Sequence, residues 1–98
     1  MKIILDLDGT ICSEEKYENR KKAKLLEGAK KSIDKLKKGN KIIIYSARGW
    51  HEYNSTLKWL NKNKIYFDQL ILGKPIGDVW IDDRAIKFES WKKIIKKI

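Results

Sequence analysis

Short apolar runs alternate with longer amphipathic stretches along this chain. The runs lie within residues 2–7, 41–45 and 68–72, and a shorter one lies at 79–81. A continuous apolar run is typical of a strand that is buried on both faces, as in a parallel sheet. We therefore predict four strands at these positions, of which the last is the shortest.

Between these runs, apolar residues recur every three or four positions. This spacing covers residues 25–38, 52–63 and 89–98 and predicts three helices with one apolar face each. Residues 11–24 are polar and show no clear period, so we expect an irregular, partly helical flap there. Strands that alternate with helices imply an α/β fold with a parallel sheet and right-handed connections.

Length and charge narrow the class of protein. The chain has 98 residues, the size of one compact domain, and we predict a single domain over residues 1–98. Its 23 Lys and Arg residues exceed its 13 Asp and Glu residues, which gives a net charge of +10. This charge suits anionic partners such as phosphates or nucleic acid, but the lysines are spread over most of the chain, which favours a role in solubility.

Cysteine and histidine usage suggests where the protein works. Cys12 is the single cysteine and cannot form an internal disulfide, as expected in a reducing compartment. One His and one Cys argue against a zinc site. No apolar run has the length of a membrane span, and no signal peptide precedes the first strand. We therefore predict a soluble, cytoplasmic protein with no membrane partner.

Each predicted strand ends in polar residues. The carboxyl ends of parallel strands share one edge of the sheet, where ligands bind. Asp6 and Asp8 lie two positions apart, so in an extended chain both side chains point the same way. They would repel each other unless a cation lies between them or one of them holds a proton. The strand-end residues are Asp6 and Asp8, then Ser46, then Lys74, then Asp82 and Asp83.

This set of groups suits phosphoryl transfer. Several carboxylates in one crevice favour a hard divalent cation, and oxygen ligands favour Mg²⁺. Lys74 and Ser46 supply hydrogen-bond donors for phosphate oxygens. One Asp can attack phosphorus to form an aspartyl-phosphate, while its neighbour protonates the leaving group and later activates water. The residues thus indicate transfer of a phosphoryl group to an aspartate and then to water.

Four motifs resemble those of the haloacid dehalogenase superfamily of phosphatases. They are Asp-Leu-Asp-Gly-Thr from Asp6, the serine at 46, Lys74-Pro75, and Ile-Asp-Asp-Arg-Ala from Ile81. The resemblance spans most of the chain and implies a Rossmann-like three-layer sandwich with a mostly parallel sheet. The gaps between the motifs are too short for the cap that such proteins usually have, so the chain is similar to a minimal member with no separate cap domain.

The resemblance also implies a role for each motif residue. Asp6 would be the nucleophile, Asp8 the general acid and base, and Mg²⁺ the cofactor. The metal ligands would be Asp6, Asp8 through its backbone carbonyl, Asp82 and Asp83. The residues that bind the substrate or its phosphate would be Thr10, Ser46, Ala47, Arg48 and Lys74.

One tripeptide narrows the resemblance further. Ser46-Ala47-Arg48, with the Ile-Asp-Asp-Arg-Ala motif, is similar to capsular-polysaccharide-associated phosphatases and to the phosphatase half of polynucleotide kinase-phosphatases. In that subgroup Arg48 would hold the substrate phosphate or its leaving group.

Three functions stay open at this point. The first is a Mg²⁺-dependent phosphomonoesterase that works through an aspartyl-phosphate on a small phosphorylated metabolite, such as a sugar phosphate or a nucleotide. The second is a phosphatase for nucleic-acid ends such as a 3′-phosphate, which an uncapped site and the +10 charge favour. The third is a phospho-accepting signalling or binding domain, although the resemblance implies a different order of acids for that class. With almost no cap, the site would be closed by the flap, by the substrate's own bulk or by a second copy in a homo-oligomer.

Overall fold

The computed structural model describes residues 1–98 and contains a three-stranded parallel sheet. β1 is Lys2–Leu5, β2 is Lys41–Tyr45 and β3 is Gln69–Ile71. The order across the sheet is β1-β2-β3, and both neighbouring pairs run parallel. The predicted α/β class with a parallel sheet is confirmed, and the arrangement is consistent with a Rossmann-like fold.

Three helices connect or follow these strands. α1 is Ala29–Leu36, α2 is Tyr53–Lys62 and α3 is Trp91–Lys97. A 3₁₀ turn over Tyr17–Lys22 lies in the flap, and another over Trp50–Glu52 leads into α2. All three predicted helices are present, with shorter bounds than the periodicity indicated. None of them combines the length and the apolar composition that a membrane-crossing helix needs.

α1 begins four residues later than predicted because the preceding residues have other partners. Leu25 pairs with Cys12 in an isolated antiparallel bridge, and the N–H of Leu26 donates to the carbonyl of Ile11 over 2.9 Å. Gly28 then precedes the helix with a φ of 79°, a backbone conformation that suits glycine. The end of the flap is therefore tied to the loop that follows β1.

The hydrophobic core runs through the middle of the sheet. Ile44 of β2 pairs with Leu5 of β1 and with Leu70 of β3, and all three side chains are buried. Trp91 at the start of α3 is also buried, and its indole N–H donates to the carbonyl of Thr10 over 2.7 Å. The last helix thereby holds the loop after β1 in place.

The predicted fourth strand is wrong. Residues 79–81 form no strand, and residues 72–90 contain neither helix nor strand. The apolar run is only three residues long, and the Asp82 carboxylate that follows it accepts the N–H of Arg84 over 2.7 Å, a local turn that competes with strand pairing. β1 is therefore an edge strand, and Ile81 is 96% exposed.

Candidate active site

The backbone turns sharply after Asp8 and fixes the direction of both acids. The carbonyl of Leu7 accepts the N–H groups of residues 10–12 at 3.1, 2.8 and 3.2 Å. Gly9 makes the turn with a φ of 82°, where a side chain would be strained. Leu7 is fully buried while Asp6 and Asp8 are half-buried, which is the alternation of an extended chain with both carboxylates on the more open side.

Lys74 reaches Asp6 from the loop after β3. Its Nζ lies 3.5 Å from Asp6 Oδ1, and the same oxygen accepts the N–H of Leu7 over 2.9 Å. Asp6 Oδ2 has no hydrogen-bond partner in the protein. The backbone N–H of Lys74 donates to the carbonyl of Ser46 over 2.9 Å, which joins the loops after β2 and β3. The structure therefore brings residues from the ends of all three strands to one edge of the sheet.

The Arg48 side chain points into the protein and forms an ion pair with Asp8. Its side chain is only 2% exposed; Nε donates to Asp8 Oδ2 over 3.0 Å and Nη2 donates to Asp8 Oδ1 over 2.8 Å. Nη1 donates to Thr56 Oγ1 on α2 over 3.1 Å, and Nη2 also lies 4.0 Å from Cys12 Sγ. Every nitrogen of the guanidinium thus has a protein partner. The sequence did not indicate these contacts.

The pKa values of Cys12 and Arg48, two buried residues at this site, are shifted from their usual values. Burial, reinforced by the charge of Asp8, raises the pKa of Cys12 to about 12. The thiol therefore stays protonated at neutral pH and is not a nucleophile. Burial alone would lower the pKa of Arg48, but the hydrogen bonds and charge of Asp8 outweigh it and raise that pKa above its usual range. The ion pair is accordingly charged on the Arg side at every ordinary pH.

The other predicted substrate-binding residues surround the same edge. Ser46 is fully buried, and its Oγ accepts the N–H of Arg48 over 3.1 Å. Ala47 is exposed and Thr10 is half-buried. They lie in the two loops that carry Asp8 and Arg48, and their contact with substrate stays a prediction.

Asp82 and Asp83 are not brought together with the acids of β1. No three His, Cys, Asp or Glu side chains are grouped so that they could hold a metal ion. Asp82 accepts the N–H of Arg84, and Asp83 lies 3.9 Å from Arg84 Nε in a pair whose two side chains are about nine-tenths exposed. A metal-binding role for these two acids stays a prediction.

Two oxygen atoms after β1 are nevertheless free for a cation. Asp6 Oδ2 and the backbone carbonyl of Asp8 accept no hydrogen bond from the protein. Mg²⁺ in proteins usually binds one or two carboxylates and keeps several waters. The donor set after β1 fits such an ion, with few ligands from the protein.

A second buried ion pair, which the sequence did not indicate, fastens the flap. Glu52 is 6% exposed, and Arg20 Nη1 donates to both of its carboxylate oxygens, at 2.7 and 2.6 Å. The N–H of Gly49 donates to Glu52 Oε2 over 3.3 Å. The flap residue Arg20 is therefore bound to the 3₁₀ turn over Trp50–Glu52, which follows the loop after β2. The two partners are 32 positions apart in the sequence, so no local pattern revealed the pair.

Two exposed indole rings lie near the loop after β3, Trp50 beside Gly73 and Trp80 beside Lys74. Trp50 is 57% exposed and stacks on Tyr53, with ring centroids 6.0 Å apart. Trp80 is 55% exposed, and its ring centroid lies 5.4 Å from Lys74 Nζ. Their position in the sequence, just after the Ser46 loop and just before the paired acids, was the available indication that they border the site.

The chain is a small α/β domain that carries acids and a lysine at the ends of its parallel strands. Comparison with known proteins identifies solved structures of the same fold. Neither a family model nor a curated protein matches the chain. The chain is similar to a protein from Vibrio cholerae that was solved as an MCSG target, with a TM-score of 0.74 and 22% identity over 97% of this chain and 94% of that one.

Two further similar structures come from the Pnkp1/Rnl/Hen1 assembly. One, from the Pnkp1/Rnl/Hen1 complex, has a TM-score of 0.64 and 24% identity over 84% of this chain. The other, from the Pnkp1/Rnl/Hen1 RNA repair complex, has a TM-score of 0.63 and 22% identity over 98% of this chain. The chain spans 30% of the length of each of these two chains. At these identities the likeness establishes a shared fold.

Proposed function

We propose that this protein is a phosphatase that hydrolyses phosphate monoesters. The observation that supports it most is the 3.5 Å approach of Lys74 Nζ to Asp6 Oδ1, beside an Asp8 that Arg48 holds through two hydrogen bonds. A nucleophile, a proton-transfer group and a cation for phosphate thereby share one edge of the sheet. The resemblance of the motifs to haloacid dehalogenase phosphatases supports the same roles, and the likeness in fold to a chain of an RNA repair complex agrees with them.

In the first step one oxygen of the Asp6 carboxylate attacks the substrate phosphorus. A bond forms between this oxygen and phosphorus while the bond from phosphorus to the leaving oxygen breaks, and Asp8, which enters this step as the protonated acid, gives its proton to the leaving oxygen. Lys74, beside Oδ1, offsets negative charge on the phosphoryl oxygens. The product alcohol departs and an aspartyl-phosphate remains on Asp6.

In the second step Asp8, now a carboxylate, takes a proton from water. The water oxygen bonds to phosphorus as the bond between phosphorus and the Asp6 oxygen breaks, which frees the carboxylate and releases inorganic phosphate. Arg48 keeps Asp8 in one orientation through both steps, because its fork bonds to both carboxylate oxygens.

Mg²⁺ is the cofactor that this proposal includes. The Asp6 carboxylate and the Asp8 backbone carbonyl would hold it, with Asp82 and Asp83 as the further predicted ligands. Bound there, the ion would neutralise charge on the transferring phosphoryl group.

The proposed substrate is a small phosphorylated metabolite, either a sugar phosphate or a nucleotide. A nucleic-acid end is the second candidate, favoured by an approach to the site that no cap domain covers and by the net charge of +10. Added salt separates the two, because binding to a polymer of phosphates weakens steeply with salt concentration while a monoester responds weakly.

The test compares hydrolysis of p-nitrophenyl phosphate by the wild type and by Asp6→Asn, each with Mg²⁺ and with EDTA. We expect EDTA to abolish activity and the substitution to reduce it to background. Asp34→Asn, at an exposed aspartate of α1 that pairs with Lys30, is the control and should keep the wild-type rate. Equal rates for the wild type and Asp6→Asn would rule out the covalent mechanism. An aspartyl-phosphate that persists without turnover would favour the signalling domain instead.

A further inference from the structure

Trp50 is exposed, yet its ring is held in place. Its indole stacks nearly parallel on Tyr53, with an interplanar angle of 16°. Gly73 also lies close to the indole, since a Cβ atom there would lie only 2.8 Å from Trp50 Nε1. This position also has a φ of 76°, so both its backbone conformation and the close approach of the ring favour a glycine there. Trp50 as a whole nevertheless remains 57% exposed.

This ring lies beside the proposed phosphate-binding groups. Gly73 immediately precedes Lys74, and its N–H donates to the carbonyl of Arg48 over 2.8 Å. Trp50 therefore packs on the loop that positions the lysine. Trp80 is also exposed, and its ring centroid lies 5.4 Å from Lys74 Nζ. A phosphate held at Lys74 would thus carry its leaving group past exposed aromatic surface.

We propose that Trp50 is a stacking platform for a nucleobase, so that the phosphate removed at Asp6 is attached to a nucleoside. This inference rests on the proposed phosphatase function and names the chemical class of its substrate. An exposed aromatic ring beside a loop that carries a cation is a combination that proteins use to bind unpaired bases, because stacking accepts any base while the charge holds the phosphate. The base belongs either to a mononucleotide or to the end of a single strand.

Equilibrium binding to the Asp6→Asn protein tests the platform, because that variant does not consume the ligand. Isothermal titration compares AMP with ribose 5-phosphate, which has the same sugar and phosphate but no base. We expect AMP to bind about 5- to 150-fold more tightly, the range that corresponds to one stacked base. Adding Trp50→Ala should remove this difference, and adding Trp50→Phe should keep most of it. Tyr66→Ala, which removes an exposed aromatic ring just before β3 at the opposite edge of the sheet, is the control and should change neither affinity.

The outcomes separate this inference from the function beneath it. Equal affinity for AMP and ribose 5-phosphate would overturn the platform, and hydrolysis of both by the wild type would leave the phosphatase standing. A loss of affinity for both ligands in the Trp50→Ala protein would show a structural role and would also overturn it. Base-dependent binding without hydrolysis of any monoester would support the platform and contradict the phosphatase.

The source of the base follows from a third ligand, a short single-stranded oligonucleotide with a 3′-phosphate. Tighter binding than AMP, steep loss of affinity with salt and a further loss in Trp80→Ala would support the platform with a nucleic-acid end as its ligand. Binding no tighter than that of AMP, unchanged by Trp80→Ala, would support it with a mononucleotide.

Discussion

Replacing Arg48 by methionine separates the two roles that this residue can have. If Arg48 holds the substrate phosphate, as the resemblance implied, the substitution weakens substrate binding and leaves stability almost unchanged. If it holds Asp8, as the contacts show, the substitution removes three hydrogen bonds from a side chain that is 2% exposed. Methionine keeps most of the length of the side chain but none of its charge, so the packing loss is small.

The size of the effect follows from the burial of the pair. Breaking a buried ion pair by removing one partner costs about 3–5 kcal/mol. The Asp8 side chain is 19% exposed, so water can partly solvate it, and we expect the lower end, about 3 kcal/mol. For a domain of this size that loss lowers the melting temperature by about 12–24 °C. Arg48→Lys keeps the charge but loses the fork geometry, and it should fall between the two proteins.

A double-mutant cycle with Asp8→Asn tests whether the two residues act as a pair. Each single substitution should lower the free energy of unfolding by about 3 kcal/mol, and the double substitution by about 4 kcal/mol, a coupling of about 2 kcal/mol. Urea unfolding followed by tryptophan fluorescence measures all four proteins, and Arg84→Met, at a highly exposed arginine, is the control. Additive losses, or a stable Arg48→Met protein with a raised KM, would refute the pairing and restore the phosphate-binding role.

Two further predictions concern the surroundings of the site. Because burial raises the pKa of Cys12 to about 12, between about pH 9 and 12 the thiol is protonated in the folded state and ionised in the unfolded one, so stability should fall as pH rises through this range. Urea unfolding should show a shallower fall for Cys12→Ala than for the wild type. Identical curves for the two proteins would contradict the raised pKa of Cys12. Glu52→Gln should speed hydrogen exchange of the flap amides that follow Arg20, because it neutralises the buried partner of that residue. The control Glu89→Gln, at an exposed pair with Lys93, should leave exchange unchanged. Equal protection in both variants would show that the flap is held by other contacts.

The part of the fold that could be predicted is the part in which neighbouring residues decide the structure. The apolar runs that became β1, β2 and β3 are continuous and end in turn-forming residues. The helices have one apolar face, and that face is buried. The run at 79–81 has the same composition, but three residues pair few backbone groups, and the local turn at Asp82 competes with them.

The site shows the same division. Asp6, Asp8, Ser46 and Lys74 could be placed together because strand ends in a parallel sheet share an edge. The partner of Arg48 could not, because Asp8 lies 40 residues away and an arginine after a strand end is as compatible with a substrate contact as with an ion pair. Burial decides between them, and burial is a property of the folded chain.

The charges at the edge of the sheet explain how two neighbouring carboxylates are tolerated. Carboxylates as close as Asp6 and Asp8 need a cation between them, or a proton on one of them. Each acid also has a cation of its own in the protein: Lys74 from the loop after β3 approaches Asp6, and Arg48 from the loop after β2 holds Asp8. The two pairs differ in a way that suits the proposed chemistry. Arg48 bonds to both oxygens of Asp8 and is buried, so that pair is fixed, whereas Lys74 approaches a single oxygen of Asp6 at 3.5 Å with 21% of its side chain exposed. An incoming phosphate can therefore share Lys74 without leaving a buried charge unpaired.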